Sequence, residues 1–178
     1  MLLGTEAAEF RLLEMIHGIF ESRFTDFIMP RITALGNAGI IWIILAAVLL
    51  CIPRYRRCGA VLAAGLLAGL VFGNLLIKPL IHRPRPCWLY EVQLITKIPS
   101  DYSFPSGHTY SSFTAAFLLL RYNKRWGIAA LALAVLIAFS RMYLYAHFPT
   151  DVLGGIVLAV AVSTAVTAID KRIETKEI

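Results

Sequence analysis

Residues 127–151 read GIAALALAVLIAFSRMYLYAHFPTD. From Gly127 to Ala146 the run is almost wholly apolar, and about 20 such residues in a helix cross a hydrocarbon core of ~30 Å. Its end is not apolar: Arg141 lies inside the run, and His147 and Asp151 follow it. An arginine at the centre of a membrane helix costs at least ~2.5 kcal/mol. Arg141 therefore needs either a partner or a route for its head group to the interface.

Four further segments have the same character: Ile32 to Ile52, Cys58 to Ile77, Tyr102 to Leu120 and Val152 to Ile169. The chain of 178 residues is 58% hydrophobic and 16% charged, with a mean hydropathy of +0.72, which excludes an ordinary water-soluble domain. Ahead of the first span, Ala7 to Phe20 sets Glu9, Arg11 and Glu14 among Phe10, Leu13, Ile16 and Phe20 at helical spacing, a short interfacial or partly inserted helix. The extreme N-terminus has no basic region and no small-residue cleavage site, so no cleaved leader is expected. The expected fold is an all-α polytopic membrane bundle of five long spans plus the short N-terminal amphipathic helix, with residues 1–178 forming one membrane-embedded domain.

The formal charge of +6 is not spread as a nucleic-acid surface would have it, and no nucleic-acid partner is expected. Arg54, Arg56 and Arg57 share one short loop, Arg121, Lys124 and Arg125 another, and Lys171, Arg172 and Lys176 the tail. Counting spans puts these groups on one face, cytoplasmic by the positive-inside rule, together with the C-terminus. Lys78, Arg83, Arg85, Lys97 and Arg141 then fall on the extracytoplasmic face of the cell membrane, where they crowd around span ends. Cys51, Cys58 and Cys87 belong to no motif and read as apolar filler. Gly65, Gly69 and Gly73 recur at every fourth position, a ridge that lets membrane helices approach closely. Packing within one bundle is the preferred reading of that ridge, a dimer interface the alternative.

Three polar clusters meet at the outer face: KPLIHRPRP (residues 78–86), SFPSGHTYSS (103–112) and SRMYLYAHFPTD (140–151). Lys78, Arg85 and Arg141 bring cations with few carboxylates to match them, only Asp151, Glu91 and Asp101 being near. Unmatched cations imply an anionic ligand, and the planar arginine fork suits phosphate. If a helix begins near Pro105, the N–H groups of Ser106 and Gly107 are among the unpaired donors of its first turn and favour an anion there.

Asp151 follows His147 by four residues across the Pro149 turn, within reach to orient its imidazole and make the other ring nitrogen a better nucleophile. A helix-capping role is the alternative for this pair. His108 comes at the same pocket from the next helix, and the two histidines suggest a division of labour. His147, neutral, attacks phosphorus, and His108, protonated, releases the leaving oxygen. His17 and His82 read as satisfied polar residues. Magnesium would want more carboxylates; zinc at His108, His147 and Asp151 would be repelled by the cations beside it. Metal-free chemistry with no cofactor is the expectation.

Lys78 with Arg85 and Pro86, then Pro105-Ser106-Gly107-His108, then Ser140-Arg141 with His147 and Asp151 together resemble the three signature motifs of the type 2 phosphatidic acid phosphatase family. That family contains membrane lipid phosphatases and, more distantly, soluble vanadium haloperoxidases. The resemblance implies a six-helix bundle and metal-independent hydrolysis through a phosphohistidine on His147, with Asp151 orienting it. It also implies that His108 protonates the leaving group and then activates water, while Lys78, Arg85, Ser106, Gly107 and Arg141 hold the phosphate. Small bacterial members similar to this chain often act on undecaprenyl diphosphate, the first substrate expected. Phosphatidylglycerophosphate, phosphatidic acid and lipid A phosphate are the alternatives, since the motifs read phosphate and not the tail. A non-catalytic protein that binds or transports lipid phosphates is the remaining reading.

Overall fold

The computed structural model describes residues 5–176, and among them every regular element is a helix. The amphipathic stretch forms α1 (Glu6–Phe20), which turns Phe10 and Leu13 inward against Tyr145 and Phe148. Its Glu9 is buried as well, so the polar residues of α1 do not all face outward. Helix α2 (Arg23–Leu35) starts at Ser22, whose hydroxyl accepts the N–H of Thr25 at 3.1 Å, a side-chain N-cap.

The first expected span is broken. Helix α2 gives way to a short turn over Asn37–Gly39, where Ala38 and Gly39 take positive φ values of 51° and 66°, before α3 (Ile40–Cys51) resumes at an angle of 41°. Gly-Asn-Ala-Gly (36–39) inside an apolar run is the local cause: such residues tolerate left-handed backbone and favour turns over helix. Helix α4 (Arg56–Gly69) continues through a π-helical stretch (Leu70–Ile77) into α5 (Lys78–Ile81). Then comes the single turn α6 (Pro86–Leu89) and an irregular outer loop. Helices α7 (Gly107–Tyr122), α8 (Lys124–Tyr143) and α9 (Pro149–Lys176) complete the bundle.

Among the described residues, three continuous stretches are long and apolar enough to cross a membrane: Pro53–Leu89, Lys124–Tyr143 and Pro149–Thr175. The bent α2–α3 pair makes a fourth if it is taken as one span. The segment expected as a span over Tyr102–Leu120 is shorter as a helix. With 16 residues, α7 is about 24 Å long, less than a full core thickness. Its start also differs: Pro105 is not in the first turn, and the helix opens at Gly107 after Ser106. The preceding backbone bonds elsewhere, the N–H of Ser103 to the carbonyl of Arg83 at 2.8 Å and that of Ser106 to the carbonyl of Asp151 at 3.0 Å. Pro149 does open α9, as its missing N–H allows.

Helix α7 is the central post, buried without a break from Thr109 to Ala116. The glycine ridge lies against it. A Cβ at Gly65 would come within 2.5 Å of Leu118, and one at Gly69 or Gly73 within 2.7 or 2.8 Å of the Tyr110 ring. The ridge is therefore used for packing inside the bundle. Ile43, Ile44, Val48, Leu75, Leu80, Val135 and Val157 remain exposed on the flanks, an apolar coat suited to lipid. At one end Asp170 gathers Arg57 at 2.9 Å and Arg121 at 3.2 Å. The three polar clusters meet at the other.

Candidate active site

Helix ends converge on a cavity of about 970 Å³ whose lining includes Lys78, Arg85, Gly107, His108, Arg141 and His147. These six come from all three polar clusters. Lys78 opens α5, Gly107 and His108 open α7, and Arg141 sits in the last turn of α8. His147 is set by the folded-over link between α8 and α9. The carbonyl of Arg141 accepts the N–H groups of Ala146 at 3.0 Å and His147 at 3.2 Å, and Tyr145 takes φ of 52° to make the turn.

The cations are not free. Asp101, from the outer loop, receives Lys78 Nζ at 2.5 Å on one carboxylate oxygen and Arg85 Nη2 at 2.7 Å on the other. Arg85 also donates to the carbonyls of Asp101 at 2.7 Å and Ala146 at 2.6 Å, and lies 3.0 Å from His147 Nε2. Arg141 Nη1 donates to Thr33 Oγ1 of α2 at 2.7 Å, while its Nε is buried without a partner among the described residues. Arg141 does not snorkel: it is buried in the cavity wall with a neutral hydroxyl as its partner. With Lys97, which also lines the cavity, four basic side chains stand against the one carboxylate of Asp101, a surplus of positive charge in a half-closed, partly apolar cavity.

His147 is 1% exposed. An imidazole whose Nε2 faces the guanidinium of Arg85 must present a lone pair there, which assigns the proton to Nδ1. Nδ1 lies 3.3 Å from Ser103 Oγ, whose hydroxyl donates a short hydrogen bond to Asp151 Oδ2. The direct distance from His147 Nδ1 to Asp151 Oδ2 is 3.6 Å, beyond hydrogen-bond length, so Ser103 bridges the pair. Asp151 Oδ2 also accepts the N–H of Phe148 at 2.7 Å, the reach-back of an acidic residue in the first turn to the cap residue. Asp151 therefore makes the capping contact, and its only route to His147 among the described residues runs through the Ser103 hydroxyl.

Burial is the largest influence on His147, and with the charges of Arg85, Arg141 and Lys78 it holds the imidazole well below the ordinary histidine range. Burial pushes Asp101 upward, but the hydrogen bond from Lys78 and the charges of Arg85 and Lys78 outweigh it and leave the carboxyl well below its usual range. A neutral histidine and an ionised aspartate are the resting states.

His108 reaches the cavity from the opposite side, with Nε2 2.9 Å from Asn37 Oδ1 at the break between α2 and α3. Ser106 is not in the cavity wall. It is fully buried, its hydroxyl accepting from Thr109 at 2.9 Å and its N–H donating to Asp151. Asp151 likewise lies behind the wall. His17, beside the carbonyl of Tyr143 at 3.2 Å, and the exposed His82 are outside it. Asn37, Thr33 and Ser103 are the additions that sequence reasoning did not single out, while Asp101, named there only as a nearby carboxylate, is the one that bridges Lys78 and Arg85. Asn37 alone had a local signal, the Gly-Asn-Ala-Gly interruption of a span. Among the described residues no group of three or more His, Cys, Asp or Glu side chains is placed to hold a metal ion.

Residues 58–174 match the PAP2 superfamily. Undecaprenyl-diphosphatase BcrC of Bacillus subtilis is 32% identical over 156 residues, 86% of this chain and 79% of that protein. Phosphatidylglycerophosphatase B of the same bacterium is 33% identical over 179 residues, 92% of this chain and 77% of that one. The crystal structure of a transmembrane PAP2-type phosphatidylglycerolphosphate phosphatase from Bacillus subtilis superposes with a TM-score of 0.77 at 25% identity, covering 96% of this chain and 88% of that one. That of Aquifex aeolicus LpxE gives 0.77 at 25% identity, over 89% and 93%. A cationic cavity with two histidines, set in an apolar bundle and shared in sequence and fold with these enzymes, makes the chain a member of the PAP2 superfamily and a phosphatase of membrane lipids.

Proposed function

We propose that the chain hydrolyses a lipid phosphate monoester or diphosphate at the outer membrane interface through a phosphohistidine intermediate, with undecaprenyl diphosphate as the substrate. The observation that carries this reading is the clamp of Asp101 between Lys78 and Arg85, beside His147 Nε2. An anionic group already sits on both cations next to the lone pair, in the place a substrate phosphate would take.

The phosphate exchanges with Asp101 and lies on Lys78, Arg85, Arg141 and the start of α7 at Gly107, with Ser106 supporting that helix start. His147 Nε2 attacks phosphorus; the N–P bond forms as the bond to the leaving oxygen breaks, and His108 gives that oxygen a proton. Asp151, through Ser103, keeps the proton on Nδ1 and aims the ring. His108 then takes a proton from water, which attacks the phosphohistidine, releases inorganic phosphate and restores His147. The cations meet charge that spreads over the equatorial oxygens without having to reorganise. Five membrane passes with the C-terminus cytoplasmic, α1 lying at the interface and one domain over the whole chain complete the proposal.

Detergent-purified protein in EDTA should release phosphate from undecaprenyl diphosphate faster than from phosphatidylglycerophosphate or phosphatidic acid. His147→Ala should lose at least ~10³-fold, and quenching in alkaline detergent should trap a phosphoenzyme that is stable to base and labile to acid in the wild type alone. Release that needs a metal, or an active His147→Ala variant, would defeat the mechanism, and a different preferred lipid would defeat the substrate assignment.

A further inference from the structure

We infer that Glu9 of α1 is a positioning residue for His147 and Asp151, acting through the buried guanidinium of Arg83; the inference rests on His147 being the nucleophile. Arg83 lies outside the cavity wall and is fully buried. Its Nη1 donates to Asp151 Oδ1 at 2.7 Å and to Thr150 Oγ1 at 2.5 Å, and its Nη2 donates to Glu9 Oε1 at 2.7 Å. Its Cζ lies over the Phe148 ring, 4.4 Å from the ring centre. The second oxygen of Glu9 accepts the N–H of Thr150 at 3.0 Å and its hydroxyl at 2.6 Å. One planar cation therefore ties two carboxylates, from α1 and α9, into a single buried unit behind His147.

The charge count gives the unit its function. Arg83 alone against Asp151 would be neutral, and the aspartate would offer His147 little negative potential. Glu9 draws the same guanidinium toward itself, so one cation against two carboxylates leaves a net charge of −1. Glu6, partly exposed and 3.8 Å from Nε, adds to the same sign. In front of the ring stand Arg85, Lys78 and Arg141, all opposing positive charge on it. When Nε2 bonds to phosphorus and the leaving oxygen departs with a proton from His108, the ring keeps its Nδ1 proton and becomes cationic. The carboxylates behind it offset the cations in front.

The test is the rate of phosphoenzyme formation and the split of kcat from KM in Glu9→Gln, which keeps a hydrogen-bond acceptor for Arg83 but removes the charge. The expected result is kcat lower by about tenfold or more with KM within about twofold and the melting temperature kept. Glu9→Asp, which retains the charge, should recover most of the rate. A kcat for Glu9→Gln within twofold of wild type, or equal losses in Glu9→Gln and Glu9→Asp, would overturn the inference. If Glu9→Gln does not fold, the shorter pair decides: Glu9→Asn should have a kcat lower by a similar factor than Glu9→Asp, which is the same size and keeps the charge, and an equal kcat in the two is the refuting result. Absence of a phosphoenzyme in the wild type would defeat the nucleophile assignment itself. Wild-type phosphoenzyme forming equally fast in Glu9→Gln would defeat this inference alone.

Discussion

Asp101 is the residue on which the resting state of the pocket turns. Its carboxylate satisfies Lys78 and Arg85 together, so any phosphate must compete with it. Since Asp101 is half exposed, the pair is partly screened and the competition modest. Asp101→Asn should therefore bind inorganic phosphate or orthovanadate roughly three- to tenfold tighter, read as inhibition constants; unchanged constants would mean that the carboxylate and the oxyanion occupy different places. His147 makes a second prediction at this scale. Its depressed pKa means that the folded chain stays neutral where an unfolded one, with a value of about 6.5, takes up a proton. The unfolded state binds more protons just below pH 6.5, so stability falls as pH drops through that range and is unaffected above it. A histidine-labelled NMR titration, with His147→Gln to assign the signal, should place the midpoint below 6.5, and one at or above that value would contradict the burial seen here. Lys78, Arg85, His108, Arg141 and His147 were legible because motif spacing puts them at helix ends. Thr33 on Arg141 and Glu9 on Arg83, by contrast, are contacts across 108 and 74 residues, which no local spacing encodes.

Among the elements, α3 and α4 approach closely at Gly59, where a Cβ would stand 2.6 Å from the backbone nitrogen of Leu50 and 2.8 Å from the carbonyl oxygen of Ala46. Alanine in a helix interior is favoured over glycine by ~1 kcal/mol, so propensity alone predicts a gain. Backbone atoms cannot swing aside as a flexible side chain can, and overpacking costs about 1–3 kcal/mol. Gly59→Ala is expected to melt at lower temperature in detergent, and a higher melting point would mean that the helices part at no cost. The same elements mark the limits of sequence reading. Hydropathy located the helices of α4, α8 and α9, because length and apolarity suffice there. It ran through the break at Gly36–Gly39, because an average over apolar residues does not weigh the turn preference of Gly-Asn-Ala-Gly, and it began α7 early, because that boundary is decided by a bond to a distant segment, Ser106 to Asp151.

For the whole molecule, the two ends of the bundle differ in kind: a basic end organised around Asp170, and the end that holds the cavity. The cysteines report on which end faces outward. Cys87, half-buried, follows the site motif, and Cys51, exposed, lies at the far end of α3. In intact cells a membrane-impermeant thiol reagent should label Cys87, and Cys51 only after permeabilisation; the reverse order would invert the proposed topology. The cavity has one further property. Away from its cations it is walled by Ile43, Ala46, Ala47 and Leu50 of α3 and by Ala63, Leu66 and Leu67 of α4, two helices whose outer flanks are exposed and apolar. A substrate whose tail lies along that wall is met in two dimensions, so the concentration that sets the rate is its mole fraction in the film and not its molarity in the tube. Saturation then depends on how much other lipid dilutes the surface, and two preparations with equal bulk substrate but different amounts of detergent are, for this enzyme, different concentrations.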